Sequence, residues 1–210
     1  ASPYKNNQNI FGGFLELQLP ISDTVDVQLA GRYEKYPGDI GQTFDPKIAV
    51  KWQATDSFAF RGSAQTSFKG PTLNQLNPGV GTTLQFIAPT GAFKAVDQGG
   101  DPNLEPESAT SFNVGAILSQ GNFNASVDYY NFDFEDTIIV ESQDAVVAAV
   151  LAALGDPSAP QGIVGRVTFD GGVQSAGTVS RIRANIINGP DVKTSGIDFR
   201  ADYTFDDLFG

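Results

Sequence analysis

Side chains alternate between apolar and polar in one segment after another of this sequence, and no other feature constrains its fold as strongly. Leu15, Leu17 and Leu19 alternate with Glu16 and Gln18, and further segments with the same period follow up to the last residues. Because successive side chains of a β-strand point to opposite faces, this period indicates strands that have one apolar and one polar face. The sequence therefore predicts an all-β fold.

The connections between the predicted strands are alternately short and long. The short ones are residues 20–24, 54–57 and 119–122, and the long ones are residues 35–45, 69–105 and 136–194. Outer-membrane barrels show this alternation, because their periplasmic turns are short and their external loops long. We therefore expect an antiparallel transmembrane β-barrel portion of about seven membrane strands, with residues 69–105 and 136–194 as long extracellular loops. A soluble β-sandwich also alternates in polarity, but it rarely collects long loops at one end.

In such a barrel the apolar faces of the strands contact lipid, and the polar faces line a wet lumen. The side chains expected to face lipid are Leu15, Leu17, Leu19, Val25, Val27, Leu29, Ile48, Val50, Trp52, Phe58, Phe60, Phe112, Val114, Val127, Ile197, Phe199 and Tyr203. Amphipathic rings prefer the headgroup level of a bilayer, so aromatic side chains near strand ends are expected to mark the two interfaces. These are Tyr33, Trp52, Phe58, Phe123, Tyr129 and Tyr203.

The composition argues against several classes of function. The chain has 24 acidic and 13 basic residues and a formal net charge of −11, whereas a nucleic-acid partner requires a basic surface. Without histidine or cysteine it can form no Ser-His-Asp triad, no cysteine nucleophile and no ordinary zinc site. We expect no enzyme activity, no cofactor and no metal site. Residues 97–101 are interpreted as a solvated acidic turn, with a calcium loop as the alternative.

A helix is expected within the second long loop. Residues 143–154 are dominated by alanine, valine and leucine, Ser142 or Asp144 can cap the start, and Gly155 can end the helix. The helix packs inside the loop or presents an apolar contact surface to a ligand or partner. Farther along, both halves of residues 163–187 have β-like composition, which predicts either a hairpin or an extension of the flanking barrel strands.

Phe86 and Phe93 are the candidate ligand-binding residues. They are apolar rings in otherwise polar, glycine-rich surroundings of the first long loop. Rings offer a large contact area at low cost in conformational entropy and suit sugar or chelate ligands. The alternative is that they pack the loop against itself.

Three motifs carry a family resemblance. Residues 101–108, D-P-N-L-E-P-E-S, resemble the N-L-x-P-E-x-S signature of TonB-dependent outer-membrane receptors, which begins a strand descending from the outer surface. Residues 68–76, F-K-G-P-T-L-N-Q-L, are similar to the family's segment G-F-R-A-P-x-L-x-Q-L, although Ser67, Lys69 and Gly70 depart from it. Residues 194–199 resemble the family's x-x-G-[IV]-[DE] strand start, and Asn188-Gly189 resembles the turn before it.

The resemblance implies a bacterial outer-membrane location and energised uptake of a scarce ligand, such as a metal chelate, cobalamin or an oligosaccharide. The family's barrel of about 22 strands is filled by an N-terminal plug. We therefore expect residues 1–210 to be a partial barrel without a plug domain. The expected partners are outer-membrane lipid, a small ligand at the extracellular loops, and TonB through the missing plug region. A passive channel or porin, and a secreted β-domain that binds glycans or proteins, remain alternatives.

Overall fold

The computed structural model describes residues 7–37, 40–156, 158 and 160–205. The chain divides into two compact units, which we call the sheet unit and the insertion unit. The sheet unit comprises Gln8–Gly70, Pro106–Thr137 and Pro190–Gly210, and the insertion unit comprises Ala1–Asn7, Pro71–Glu105 and Ile138–Gly189.

The strands and helices follow one another in chain order. They are β1 (Phe11–Ser22), β2 (Val25–Lys35), β3 (Gln42–Gln53), β4 (Phe58–Lys69), β5 (Val80–Ile87), β6 (Ala92–Gly99), β7 (Glu107–Gln120), β8 (Phe123–Glu135), β9 (Ile138–Val140), α1 (Gln143–Ala153), α2 (Gln161–Val164), β10 (Val167–Phe169), β11 (Val179–Asn188) and β12 (Val192–Tyr203).

The sheet unit is one antiparallel sheet of seven strands in the order β1-β2-β3-β4-β7-β8-β12. Tight turns join β1 to β2, β3 to β4 and β7 to β8. In the last of these turns Gly121 has a φ of +57°, a conformation that glycine adopts without steric cost. Strands that are neighbours in the sheet follow one another along the chain within this unit, as in an up-and-down barrel. This arrangement confirms the predicted fold class.

The strand register places the predicted lipid-facing side chains on a single face of this sheet. Directly opposed residues of antiparallel strands share a face, and Leu29 is opposed by Leu17 on one side and by Ile48 on the other. Side chains on this face are open, with Leu15 64% and Phe199 74% exposed. Soluble monomers rarely expose a contiguous apolar surface of this extent, whereas a membrane barrel requires one.

Five of the six rings predicted to mark the interfaces lie near strand ends, whereas Tyr129 lies at the middle of β8, opposed by Val114 and Ile197, so the prediction is wrong for this ring. Phe123 is opposed by Tyr203 beside the turn between β7 and β8, and the ring of Trp52 stacks on that of Phe60 with 5.6 Å between centroids. Tyr33 lies near the opposite end of β2. The heights of these rings in a bilayer stay a prediction.

The opposite face of the sheet unit is polar, and its side chains pair across strands. Gln28 Nε2 donates to Glu16 Oε1 at 2.5 Å. Arg61 donates from Nε and Nη2 to the two carboxylate oxygens of Asp128, at 2.7 and 2.5 Å. Gly115 stands between these two residues in the register, and its lack of a side chain leaves room for the pair.

One connection that we predicted to be long, residues 35–45, is shorter in the structure. β3 begins at Gln42, so residues 36–41 join it to β2, and Gly38 and Asp39 lie outside the described residues. The strand continues through Pro46, which is opposed by Gly31. Proline lacks the N–H that a strand ladder uses, so the residue pattern alone places the strand start too late.

The insertion unit has its own sheet, in the order β10-β11-β6-β5, and β9 pairs with β11. Residues 69–105, predicted as a loop, therefore contain two strands, β5 and β6, which form an antiparallel hairpin. β10 and β11 are antiparallel, which confirms a hairpin-like arrangement for residues 163–187. The pairing of β6 with β11 is parallel and joins segments from the two long connections.

The predicted helix is present as α1, which begins after Ser142 and is capped by the hydrogen bond from Ala145 N to Ser142 Oγ. Val147 and Val150 of α1 are fully buried in the core of the insertion unit. The helix therefore packs inside this unit, as the first of our two interpretations states. No helix in the described part of the chain is long and apolar enough to cross a membrane.

Candidate functional site

The sheet of the insertion unit has one covered and one open face. Ile87, Val96 and Ile182 point to the covered face, where they are fully buried with Val147 and Val150 of α1. Because side chains alternate along a strand, the sequence neighbours of these three strand residues point to the open face. Large apolar and guanidinium side chains are concentrated on the open face, at Leu84, Phe86, Phe93, Arg181 and Arg183.

The two candidate ligand-binding residues lie directly opposite each other. Phe86 on β5 pairs in register with Phe93 on β6, and their ring centroids are 5.6 Å apart at an interplanar angle of 69°. Gly91, with a φ of +65°, completes the chain reversal between the two strands. The rings contact each other, yet Phe86 is 56% and Phe93 is 69% exposed. Their role in ligand binding stays a prediction.

A guanidinium beside these rings is held by a carboxylate. Arg181 Nη1 donates to Asp97 Oδ1 at 2.5 Å, and Thr82 Oγ1 donates to the same oxygen at 2.6 Å. The hydrogen bond from Arg181, reinforced by that from Thr82, holds the pKa of Asp97 below its ordinary value. Half of the Arg181 side chain remains exposed.

The second guanidinium on the open face is less neutralised. Arg183 Nε donates to Asn185 Oδ1 at 3.2 Å, and within the described residues Arg183 forms no ion pair. Sequence reasoning identified residues 179–187 as β-like but assigned Arg181 and Arg183 no role. The alternation of these two arginines with buried Ile182 and Ala184 is the signal that predicts a basic strand face.

An ion pair fixes the backbone of β11 next to Arg183. Arg166 donates from both terminal nitrogens to the two carboxylate oxygens of Glu141, with Nη1 at 2.8 Å from Oε1, and Arg166 Nη2 also donates to Arg183 O at 3.0 Å. The backbone N–H of Asn185 donates to Glu141 Oε2 at 2.8 Å. Burial acts to raise the pKa of Glu141, but the hydrogen bonds from Arg166 and Asn185 outweigh it and keep the pKa below the ordinary value.

Two motifs that carried the family resemblance meet in the insertion unit. Gly100 N donates to Asn77 O and Asp101 N donates to Gln75 O, each at 2.9 Å, so the segment that follows β4 is bonded to the segment that precedes β7. A Cβ atom on Gly100 would collide with the carbonyl oxygen of Gln75, so this approach requires glycine.

A third motif joins the same region through a side chain. Asn188 Nδ2 donates to Glu105 O at 2.8 Å, and Glu105 N donates to Asn188 Oδ1 at 2.9 Å. The Asn188 amide thus satisfies both backbone groups of Glu105 in the way a paired strand would. Asn188 is also in register with Ile138 at the start of β9. We call these contacts the motif junction; it ties together the ends of the two long connections within the insertion unit.

The two carboxylates of the acidic segment at residues 97–101 accept hydrogen bonds from other residues of the chain. The carboxylate of Asp97 accepts from Arg181, and Asp101 Oδ1 accepts from the backbone N–H of Asn103 at 2.8 Å. Within the residues that the structure describes, no group of three or more histidine, cysteine, aspartate or glutamate side chains could hold a metal ion.

Comparison with known proteins relates the whole chain to one family. The family model described as "TonB dependent receptor-like, beta-barrel" matches residues 1–210. Among curated proteins, the chain is similar to the probable TonB-dependent siderophore receptor PirA of Acinetobacter baumannii, with 23% identity over 136 residues. That match covers 64% of this chain and 18% of the relative, so the chain spans less than a fifth of the length of this relative.

Solved receptor structures share the fold. The siderophore receptor PirA from Acinetobacter baumannii superposes with a TM-score of 0.66 at 19% identity, covering 94% of this chain and 26% of that one. A mutant of the ferric enterobactin receptor PfeA from Pseudomonas aeruginosa, crystallised with enterobactin, gives a TM-score of 0.64 at 16% identity and covers 90% of this chain and 24% of that one.

Proposed function

This chain belongs to the TonB-dependent receptor-like β-barrel family, and on that premise we propose that it is part of an outer-membrane receptor that takes up an iron-loaded siderophore. Members of the family are outer-membrane transporters and not enzymes. The observation that carries the proposal is the family match over residues 1–210. The open apolar face of the seven-stranded sheet supports it, because a strand face of this kind suits contact with outer-membrane lipid.

The choice of an iron chelate over cobalamin or an oligosaccharide rests on the relatives. One of them carries the name of a siderophore receptor, and a solved structure with the same fold was crystallised with enterobactin. Uptake through such a receptor needs energy from TonB. We propose that TonB acts through the plug region expected from the family resemblance, which lies outside residues 1–210.

We place ligand contact on the connections at residues 69–105 and 136–194, which we propose to be extracellular. Both leave the seven-stranded sheet from the same end of its strands, because β4 and β8 run toward that end and β7 and β12 run away from it. Binding residues are often carried by connections held on a rigid scaffold. Phe86 and Phe93 are the exposed rings that we propose for contact with the ligand.

Iron uptake by the complete receptor tests the proposed function. The receptor is expressed in a bacterial host that lacks its own siderophore receptors, with and without TonB, and uptake of siderophores loaded with radioactive iron is measured. We expect uptake only in the host that has TonB. Equal uptake without TonB would indicate a passive channel, and uptake of cobalamin without any iron chelate would overturn the siderophore assignment.

A further inference from the structure

We propose that the open face of the insertion-unit sheet binds an anionic iron chelate that carries aromatic rings, with Phe86 and Phe93 contacting the rings and Arg183 pairing with the anionic oxygens. A ferric tris-catecholate has this chemistry. The proposal rests on the proposed function and narrows it, since it names the class of siderophore and the surface that selects it.

The strand register places the rings and the guanidiniums on one surface, with Arg181 nearer to the rings than Arg183, whose register partner is Asp97. Leu84 on β5 is opposed by Ala95 on β6, and Ala95 is in turn paired with Arg181 on β11. One step toward the turn between β5 and β6 lies the pair Phe86 and Phe93. The apolar end of the surface is therefore next to its basic end, and the small Ala95 side chain separates them.

The charge of this surface has the opposite sign to that of the chain. The open face carries the guanidiniums of Arg181 and Arg183 against the single carboxylate of Asp97, whereas the chain has a net charge of −11. Arg181 is engaged by Asp97, which leaves Arg183 as the guanidinium on this face with no ion-pair partner within the described residues. An anionic ligand complements such a surface, and a neutral one gains nothing from it.

The aromatic end and the basic end of this surface both suit a catecholate chelate. A guanidinium presents donors in a planar fork that pairs with two oxygens of an anion, and it also stacks on aromatic faces. Phenyl rings contact the rings of a ligand in stacked or edge-to-face geometry. A neutral ferric trihydroxamate offers neither aromatic rings nor net negative charge, so this surface discriminates against it.

The surface is held in place before any ligand arrives. The pair between Arg166 and Glu141 fixes the backbone at Arg183 O and Asn185 N, and α1 supports the sheet from its covered face. Ordering the protein groups in advance reduces the entropic cost of binding. The ligand therefore meets a preformed strand surface.

Affinity measurements on the complete purified receptor test this inference, with ferric enterobactin and a neutral ferric trihydroxamate as probes. The variants are Arg183→Ala, Arg183→Lys, Phe86→Ala and Phe93→Ala. Lys94→Gln serves as the control, because it removes a cation from β6 on the opposite face of the same hairpin. Thermal unfolding of each variant separates loss of binding from loss of folding.

We expect Arg183→Ala to weaken ferric enterobactin binding by about tenfold or more, since a charge-assisted hydrogen bond contributes on that scale. Arg183→Lys keeps the charge and should retain part of the affinity, the phenylalanine variants should also bind more weakly, and Lys94→Gln should bind like the parent. A parent that transports iron chelates while every open-face variant binds as tightly as the parent would overturn this inference alone. A parent that transports no iron chelate would instead refute the proposed function.

Discussion

At the scale of single residues, Gly115 shows how the polar face of the sheet unit depends on a missing side chain. A Cβ atom there would collide with the carboxylate of Asp128 and lie 2.8 Å from the carbonyl oxygen of Val127. We expect Gly115→Ala to displace Asp128 from Arg61 and to lower the free energy of unfolding by about 1–3 kcal/mol, the cost of unsatisfied buried polar groups. The measurement is thermal or urea unfolding of the complete receptor in detergent.

Gly13→Ala is the matched control, because a Cβ atom at this strand glycine meets nothing within 4 Å. It should unfold like the parent. Equal stability of Gly115→Ala and Gly13→Ala would show that the pair between Arg61 and Asp128 does not depend on the gap at Gly115.

Glu141 makes the stability of the insertion unit depend on pH. Its folded-state pKa lies below the ordinary glutamate value of about 4.3, so its contribution is complete above that value. The contribution is lost as the pH falls through the lower folded-state pKa, because the protonated carboxyl no longer pairs with Arg166. We expect Glu141→Gln to weaken hydrogen-exchange protection of β11 at neutral pH and to flatten its decline on acidification.

The pKa of Asp97 is also lowered, chiefly by its hydrogen bond from Arg181, so both the parent and Glu141→Gln should lose some protection through Asp97 on acidification. The difference between parent and Glu141→Gln isolates the contribution of Glu141. If hydrogen-exchange protection of β11 fell on acidification as steeply in Glu141→Gln as in the parent, Glu141 would not be a source of the pH dependence.

At the scale of strands, the orientation of β2 gives a direct test of the membrane face. Val27 is opposed by Leu19 and Val50 on the apolar face, whereas Gln28 donates to Glu16 on the polar face. We expect Val27→Arg to cost about 2–4 kcal/mol if the position is near the midplane. Gln28→Arg should be tolerated, because Glu16 can pair with the new guanidinium. Urea titration of receptor folded into lipid vesicles measures both, and the reverse order of stabilities would invert the assigned faces.

The motif junction provides a second test at this scale. Asn188→Ala removes both hydrogen bonds to Glu105. We expect faster hydrogen exchange at the ends of the two connections and weaker chelate binding, although Asn188 lies outside the proposed contact surface. Asn74→Ala is the control, because the Asn74 side chain is exposed and makes no hydrogen bond within the described residues. Unchanged hydrogen exchange in Asn188→Ala would show that the backbone hydrogen bonds of Gly100 and Asp101 are sufficient to hold the motif junction together.

Strands of the sheet unit could be predicted because their alternation is a local property. From Leu15 to Leu19, the polarity of each side chain indicates which face of the sheet it lies on, and the same holds from Ile197 to Tyr203. β5 and β6 escaped prediction because glycine, threonine and glutamine weaken their pattern. Pairing between Ala95 and Arg181 could not be predicted at all, since it joins segments that are distant in sequence. Arg183 was missed for the same reason, because its role follows only from the neighbours that this pairing supplies.

At the scale of the whole molecule, the two long connections fold as one unit with a shared core. Ile87 and Val96 from the first connection are buried with Val147, Val150 and Ile182 from the second. We expect replacement of Pro71–Glu105 by a short turn to expose these partners and to abolish hydrogen-exchange protection in Ile138–Gly189. The strands of the sheet unit should keep their protection.

Leu84→Ala is the control for that deletion, because Leu84 lies exposed on the open face and its loss leaves β5, β6 and the hydrogen bond from Ala88 N to Asp144 Oδ1 of α1 in place. Protection in Ile138–Gly189 should then match the parent. If the large deletion also left Ile138–Gly189 protected, the two connections would fold independently. Point variants on the open face are thus better probes of binding than deletion of a connection.

The parallel pairing of β6 with β11 also bears on how receptors of this kind diversify. A recombination event, or a chimera made in the laboratory, that imports one connection alone would bring a strand without its matching neighbour. A receptor that acquires new connections by recombination must therefore acquire both of them to fold, although the coding sequence of the β7–β8 hairpin lies between them. New ligand specificity is therefore expected to arise through substitutions on the open face or through inheritance of both connections together, and positions on β6 and β11 should covary across lineages.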